Sequence, residues 1–133
     1  MDQTIDAKIK DHFGLSRLPF SKNIGVSQIF RFKQIDEATA RLGLGAHNED
    51  IVLLTGPVGS GKSSALRLFA QSLDPSRFLL VYIPAYSYKI GEIAKLILAG
   101  LHVQPPSHAS KALRLLDQTV NELSRDKGLK PII

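Results

Sequence analysis

A chain of 133 residues that is 44% hydrophobic has the size and composition of one domain able to bury a core. It has no run near the roughly 18 apolar residues of a membrane span, and Met1 to Asp6 lack the basic-then-apolar build of a secretory signal, so a cytoplasmic location is expected. The absence of cysteine excludes disulfides and thiolate metal sites, His12, His47, His102 and His108 show no ligand spacing, and the net charge of +5 favours anionic partners.

Ile5, Ile9 and Phe13 recur every four residues and predict a short amphipathic helix ended by Gly14. The stretch from Gly14 to Ile24 is apolar but aperiodic, and Pro19 pushes Leu18 out of helical geometry, so it reads as an extended arm. A second helix is expected from about Gln34 to His47, with Gly43 and Gly45 each weakening its end by about 1 kcal/mol relative to alanine. Ile51 to Thr55 is a continuous apolar run between charged Glu49-Asp50 and Gly56, as in a central strand buried on both faces.

Leu66, Phe69, Ala70 and Leu73 then mark one face of a helix over residues 61–73, stopped at Asp74-Pro75. Phe78 to Ile83 reads as a second strand ended by Pro84. Ile90, Ile93, Ile97 and Leu101 predict a helix with one buried stripe, closed near Gly100. Gln104 to Ser107 is a turn or linker. A further helix from about Ala109 to Arg125 shows Leu113, Leu116, Val120 and Leu123 on one face, with Gly128 as its C-terminal cap and a third strand beginning at Lys130-Pro131-Ile132-Ile133.

Between the first predicted strand and the helix after it, Gly56-Pro57-Val58-Gly59-Ser60-Gly61-Lys62-Ser63 matches G-x-x-x-x-G-K-[ST] at every fixed position. Chance gives such a match in roughly one chain in a few hundred of this length. The glycines let the backbone wrap an anion, and the amides of Gly59, Ser60, Gly61 and Lys62 are the expected donors, aided by the helix dipole. Lys62 is the point charge for the β and γ phosphates of a purine nucleotide, expected to be ATP. Ser63 offers its hydroxyl to Mg²⁺. Gly56 and Ser64 complete the expected nucleotide-binding set, Ser64 as the next helical residue. Hydrolysis also needs an acidic residue at the end of an apolar strand. Asp117 lies within a helical stripe, and Glu122, Asp126, Asp36-Glu37 and Glu49-Asp50 read as solvated, so no catalytic residue is assigned.

The excess charge falls in residues 51–133, where ten basic side chains face five acidic ones, against seven of each in residues 1–50. Nucleotide binding alone accounts for such a balance, and it is compatible with nucleic-acid contact.

The arm from His12 to Ile24, Gln28-Ile29-Phe30, Glu37-Ala38, the glycine-rich loop and Ser72 to Phe78 together resemble AAA+ ATPases of the ExeA type, which include helper proteins encoded beside DDE transposases. The resemblance runs through most of residues 9–133. It implies an α/β P-loop NTPase fold: a three-layer sandwich with a parallel sheet, here incomplete, with residues 1–33 packed as helix and arm on an ATPase region at 34–133. It also implies ATP and Mg²⁺ as cofactors, and DNA, a transposase and further copies of the chain as partners. In the family's sheet the first strand pairs with later strands and not with the second. The family's magnesium-binding Asp-Glu, sensor residue and helical lid would follow Ile133, so a truncated region that does not hydrolyse ATP alone is expected. A secretion-associated ATPase and a non-hydrolysing nucleotide-binding remnant are the alternatives.

Overall fold

The computed structural model describes residues 3–18, 24–84 and 89–133. In chain order these form helix α1 (Gln3–Phe13), a 3₁₀ turn (Val26–Gln28), α2 (Lys33–Asn48), α3 (Lys62–Ser72), strand β1 (Phe78–Leu80), α4 (Ile90–Gly100), α5 (Ala109–Asp126) and strand β2 (Lys130–Ile132). The expected arm at Pro19 to Asn23 lies outside the described residues.

β1 and β2 pair in parallel, with Phe78 opposite Lys130 and Leu80 opposite Ile132. Parallel neighbours need a long crossover, and α4 and α5 supply it. Lys130 donates its amide to Arg77 (2.8 Å), and Val81 donates to the Ile132 carbonyl (2.7 Å). That register turns the nitrogen of Pro131, which has no hydrogen to donate, away from β1. The core lies where this small sheet meets the helices. Val81, Ile97, Leu101 and Leu123 are buried together, and Ala94, Leu98 and Ala112 form a second cluster where α4 crosses α5.

The predicted helices are present, but their buried faces are rotated from the expected stripes. In α4 the buried positions are Gly91, Ala94, Ile97 and Leu98, whereas Ile90 and Ile93 are exposed. In α5, Ala112 and Thr119 are buried and Leu113 is exposed. Small residues explain the rotation. Gly91 lies against the Cβ of Ala109 with no room for a methyl group, and a close helix crossing needs small side chains at the contact. Thr119 is tolerated there because its hydroxyl donates to the Leu115 carbonyl at 2.8 Å.

A second packed group joins α2, α3 and the 3₁₀ turn. Ile35 and Leu42 of α2 and Ala65 and Phe69 of α3 are its buried side chains. Leu66, expected on the buried face of α3, is exposed. α2 runs through both Gly43 and Gly45 to Asn48. Gly45 is buried because Val52 packs directly on it, which leaves no space for a larger residue. The helix closes at Glu49, in the left-handed region at φ 63°, and the Asp50 amide reaches back to the Gly45 carbonyl at 2.9 Å.

The run Ile51 to Thr55 departs most from expectation. Among the described residues it has no strand partner, and Ile51 and Leu53 are 102% and 85% exposed. A strand exists only through its partners, and β1 and β2 pair with each other and not with this run. α2 covers its Val52 side, where Val52 packs on Gly45. Glu49, at the start of the run, bonds Lys130 of β2 at 2.6 Å, and this contact holds its carboxyl below the usual range. Among the described residues no helix is long and apolar enough to cross a membrane. In α1, Ile5, Ile9 and Phe13 are exposed.

Candidate phosphate-binding loop

The loop from Gly56 to Gly61 joins the unpaired run to α3 by a turn whose tip, Val58, is fully exposed. Two glycines make the turn possible. Gly59 and Gly61 have φ of 83° and 87°, a region costly for residues with a Cβ. Gly61 is also the N-cap of α3 and is held closely from behind. A methyl group built there would lie 3.1 Å from Ile35 Cδ1 and 3.7 Å from Phe32 Cζ. α2 therefore sets the position of the loop, a dependence the motif itself does not reveal.

The first hydrogen bond of α3 runs from the Ala65 amide to the Gly61 carbonyl at 2.9 Å. Among the described residues, the amides of Gly59, Gly61, Lys62, Ser63 and Ser64 have no backbone acceptor. These are the unsatisfied donors of a helix start, extended into the loop by the glycine conformations. The Ser60 amide is instead turned inward to the Pro57 carbonyl at 3.3 Å, a long bond. Ser63 is exposed at the mouth, and Ser64 is half-buried on the next position of the helix.

Lys62 folds back over the loop. Its Nζ donates to the carbonyls of Gly56 (2.9 Å) and Pro57 (2.7 Å). An ammonium has three donors, so one stays available to an incoming anion while the other two brace the loop. A groove of about 250 Å³ opens beside the loop, between Gln34, Ile35 and Ala38 of α2 and the turn. From outside, Arg67 of α3 donates to the Ile24 carbonyl and ties the helix to the end of the arm.

This arrangement offers a set of amide hydrogens, one ammonium and a hydroxyl at a helix N-terminus, the chemistry that holds a phosphate chain and a hard cation. The donor set fits a magnesium nucleotide: Lys62 and the amides would face phosphate oxygens, and Ser63 would face the metal. A family profile described as an AAA domain matches residues 46–133. The chain belongs to that family. The match takes in the loop, α3, both strands, α4 and α5, while α1 and most of α2 precede it. The AAA domain thus supplies the context of a P-loop ATPase for the loop at Gly56 to Ser63. Neither curated proteins nor solved structures yield a match to the chain.

Among the described residues, several acidic side chains are paired with basic neighbours or exposed. Asp36 and Glu37 pair with Arg31 and Arg41, each at 2.7 Å on the exposed side of α2, and Glu49 pairs with Lys130. Asp117, Glu122 and Asp126 are exposed on α5. Among the described residues, no group of histidine and carboxylate side chains is arranged to hold a metal.

Proposed function

We propose that this chain is the nucleotide-binding region of an AAA ATPase that takes Mg²⁺-ATP at residues 56–64, with residues 1–33 packed on it as helix and arm and the whole contributing to a three-layer α/β P-loop domain. The observation that carries the reading is the run of amides without backbone acceptors at the start of α3, with Lys62 folded across them. Gly56, Gly59, Ser60 and Gly61 shape the cradle, Lys62 neutralises the phosphates, Ser63 ligates the metal and Ser64 closes the first turn. Calorimetric titration with ATP tests it. Binding is expected to need Mg²⁺ for full affinity and to vanish in Lys62→Ala; equal binding by that variant rejects the site.

The finer reading is a transposition-type regulator whose ATP state controls contact with DNA, acting with a transposase and as an oligomer. It is favoured by the arm and by the basic excess after residue 50. DNA binding that strengthens with ATP and falls steeply with salt is expected, and indifference to both would reject it. A nucleotide binder without turnover is the second reading, favoured by the placement of Glu49 against Lys130 and of the α5 carboxylates on an exposed face. Phosphate release at background with intact ATP binding supports it, and robust turnover by the chain alone overturns it.

A further inference from the structure

Residues 51–55 leave both edges of their backbone open. Among the described residues none of their amides or carbonyls takes part in a backbone–backbone hydrogen bond, although α2 holds the run in place where Val52 packs on Gly45. Such a segment is a template for one more strand. A second copy of the same run fits it better in one direction than in the other. Parallel alignment in register sets Asp50 against Asp50, and like charges directly opposite each other are destabilising. Antiparallel alignment centred on Leu53 sets Leu53 against Leu53, Ile51 against Thr55 and Val52 against Leu54, so each side chain meets one on the same face. The exposed Ile51 and Leu53 gain cover on one face, and Val52 and Leu54 continue the groove that each run forms with its own α2.

The same register brings opposite charges together. Asp50 comes opposite Gly56 of the other copy. The Gly56 carbonyl accepts Lys62 Nζ at 2.9 Å, so the incoming carboxylate approaches an ammonium that has one donor left. Among the described residues neither Asp50 nor Lys62 forms an ion pair within its own chain. We infer that two copies of this chain pair antiparallel through residues 51–55 about a two-fold axis at Leu53, and that each Asp50 occupies the phosphate-binding ammonium of the partner. A contact of this kind is self-complementary and closes at two copies. Phosphate and the second copy then compete for one group, so Mg²⁺-ATP releases the dimer by mass action. That competition rests on the phosphate reading of the loop, whereas the pairing itself does not. With five residues a side the contact is small, and a dissociation constant of roughly micromolar order is expected.

Sedimentation of the full chain without nucleotide is expected to show a monomer–dimer equilibrium that saturating Mg²⁺-ATP shifts about tenfold or more toward monomer. Asp50→Asn should weaken the dimer about tenfold, through the loss of two exposed ion pairs, and should remove the effect of ATP on what dimer remains. Leu53→Lys sets like charges at the two-fold axis and should give a monomer that folds as the parent does, because the side chain is 85% exposed. The chain has no cysteine, so introduced thiols read the register. On oxidation Leu53→Cys is expected to cross-link, Ile51→Cys is not, and Ile51→Cys combined with Thr55→Cys is. A monomer at every concentration leaves the run to a different polypeptide and overturns the pairing, as does cross-linking by Ile51→Cys alone, the mark of a parallel stack. A dimer indifferent to Mg²⁺-ATP overturns the competition when the Leu53→Lys monomer binds ATP in calorimetry. When that monomer binds no ATP, the phosphate reading and the competition fail together, and the cross-links still decide the pairing.

Discussion

Replacing Gly61 by alanine tests the dependence of the loop on α2. A Cβ at φ 87° costs about 1–2 kcal/mol whatever surrounds it. Here the new methyl would also meet Ile35 Cδ1 at 3.1 Å and Cγ1 at 3.3 Å, and Ile35 is a buried core residue. Overpacking of that kind adds about 1–3 kcal/mol. Gly128→Ala supplies the reference, because Gly128 has φ 62° and nothing within 4 Å of its built Cβ, so only the backbone cost applies. Urea unfolding followed by circular dichroism, without nucleotide, is expected to place Gly61→Ala about 1–3 kcal/mol below Gly128→Ala. At roughly 4 °C per kcal/mol for a chain of this size, the difference is also visible in thermal midpoints. Ile35→Val removes the Cδ1 atom at a cost of about 0.5–1.5 kcal/mol by itself. Combined with Gly61→Ala, it should recover part of the loss. Equal effects of the two glycine changes, or strict additivity of Gly61→Ala with Ile35→Val, would refute the argument that α2 holds the loop through this contact.

Phe69 is buried in the α2–α3 group, so Phe69→Ala should cost about 3–5 kcal/mol and is expected to abolish a cooperative transition for that group in hydrogen exchange. Ala112 is fully buried between α4 and α5, and Ala112→Leu should lower the unfolding free energy by about 1–3 kcal/mol; a neutral effect would mean that the crossing is loosely packed. Asp74 accepts the Ser76 hydroxyl (2.7 Å) and amide (2.9 Å), which hold its carboxyl below the ordinary value. A lowered folded-state pKa gives a contribution that is complete above the unfolded value of about 3.9 and is lost as pH falls through the folded one. NMR titration of the Ser76 amide should therefore show a midpoint below that of a free aspartate, and a midpoint at or above it contradicts the turn geometry.

How far the sequence could be read depended on whether the deciding contact was local. The loop from Gly56 to Ser63 was legible because its conformation is written in glycine placement and helix initiation, both properties of adjacent residues. Gly128, closing α5 at φ 62°, was legible for the same reason. The buried faces of α4 and α5 were not, since hydrophobic periodicity weights Ile90, Ile93 and Leu113, whereas the crossing selects Gly91, Ala94 and Ala112 for their small size. Ile51 to Thr55 shows the limit of propensity. Its composition suits a strand, but pairing is a property of distant segments, and here β1 pairs with β2 instead. The support that Ile35 and Phe32 give Gly61 has no signature in periodicity, because it arises from the approach of α2 to the loop.

The exposed run from Ile51 to Leu53 also bears on how the chain would behave in a crowded solution. Three exposed apolar residues with no backbone partner among the described residues are a template on which identical chains can align edge to edge, so self-association should rise with concentration. The residues at its ends restrain that growth. Asp50 places like charges in register at one end of any stack, and Pro57 removes a ladder donor just beyond the other. The residues that flank the loop are thus expected to restrain in-register edge-to-edge association.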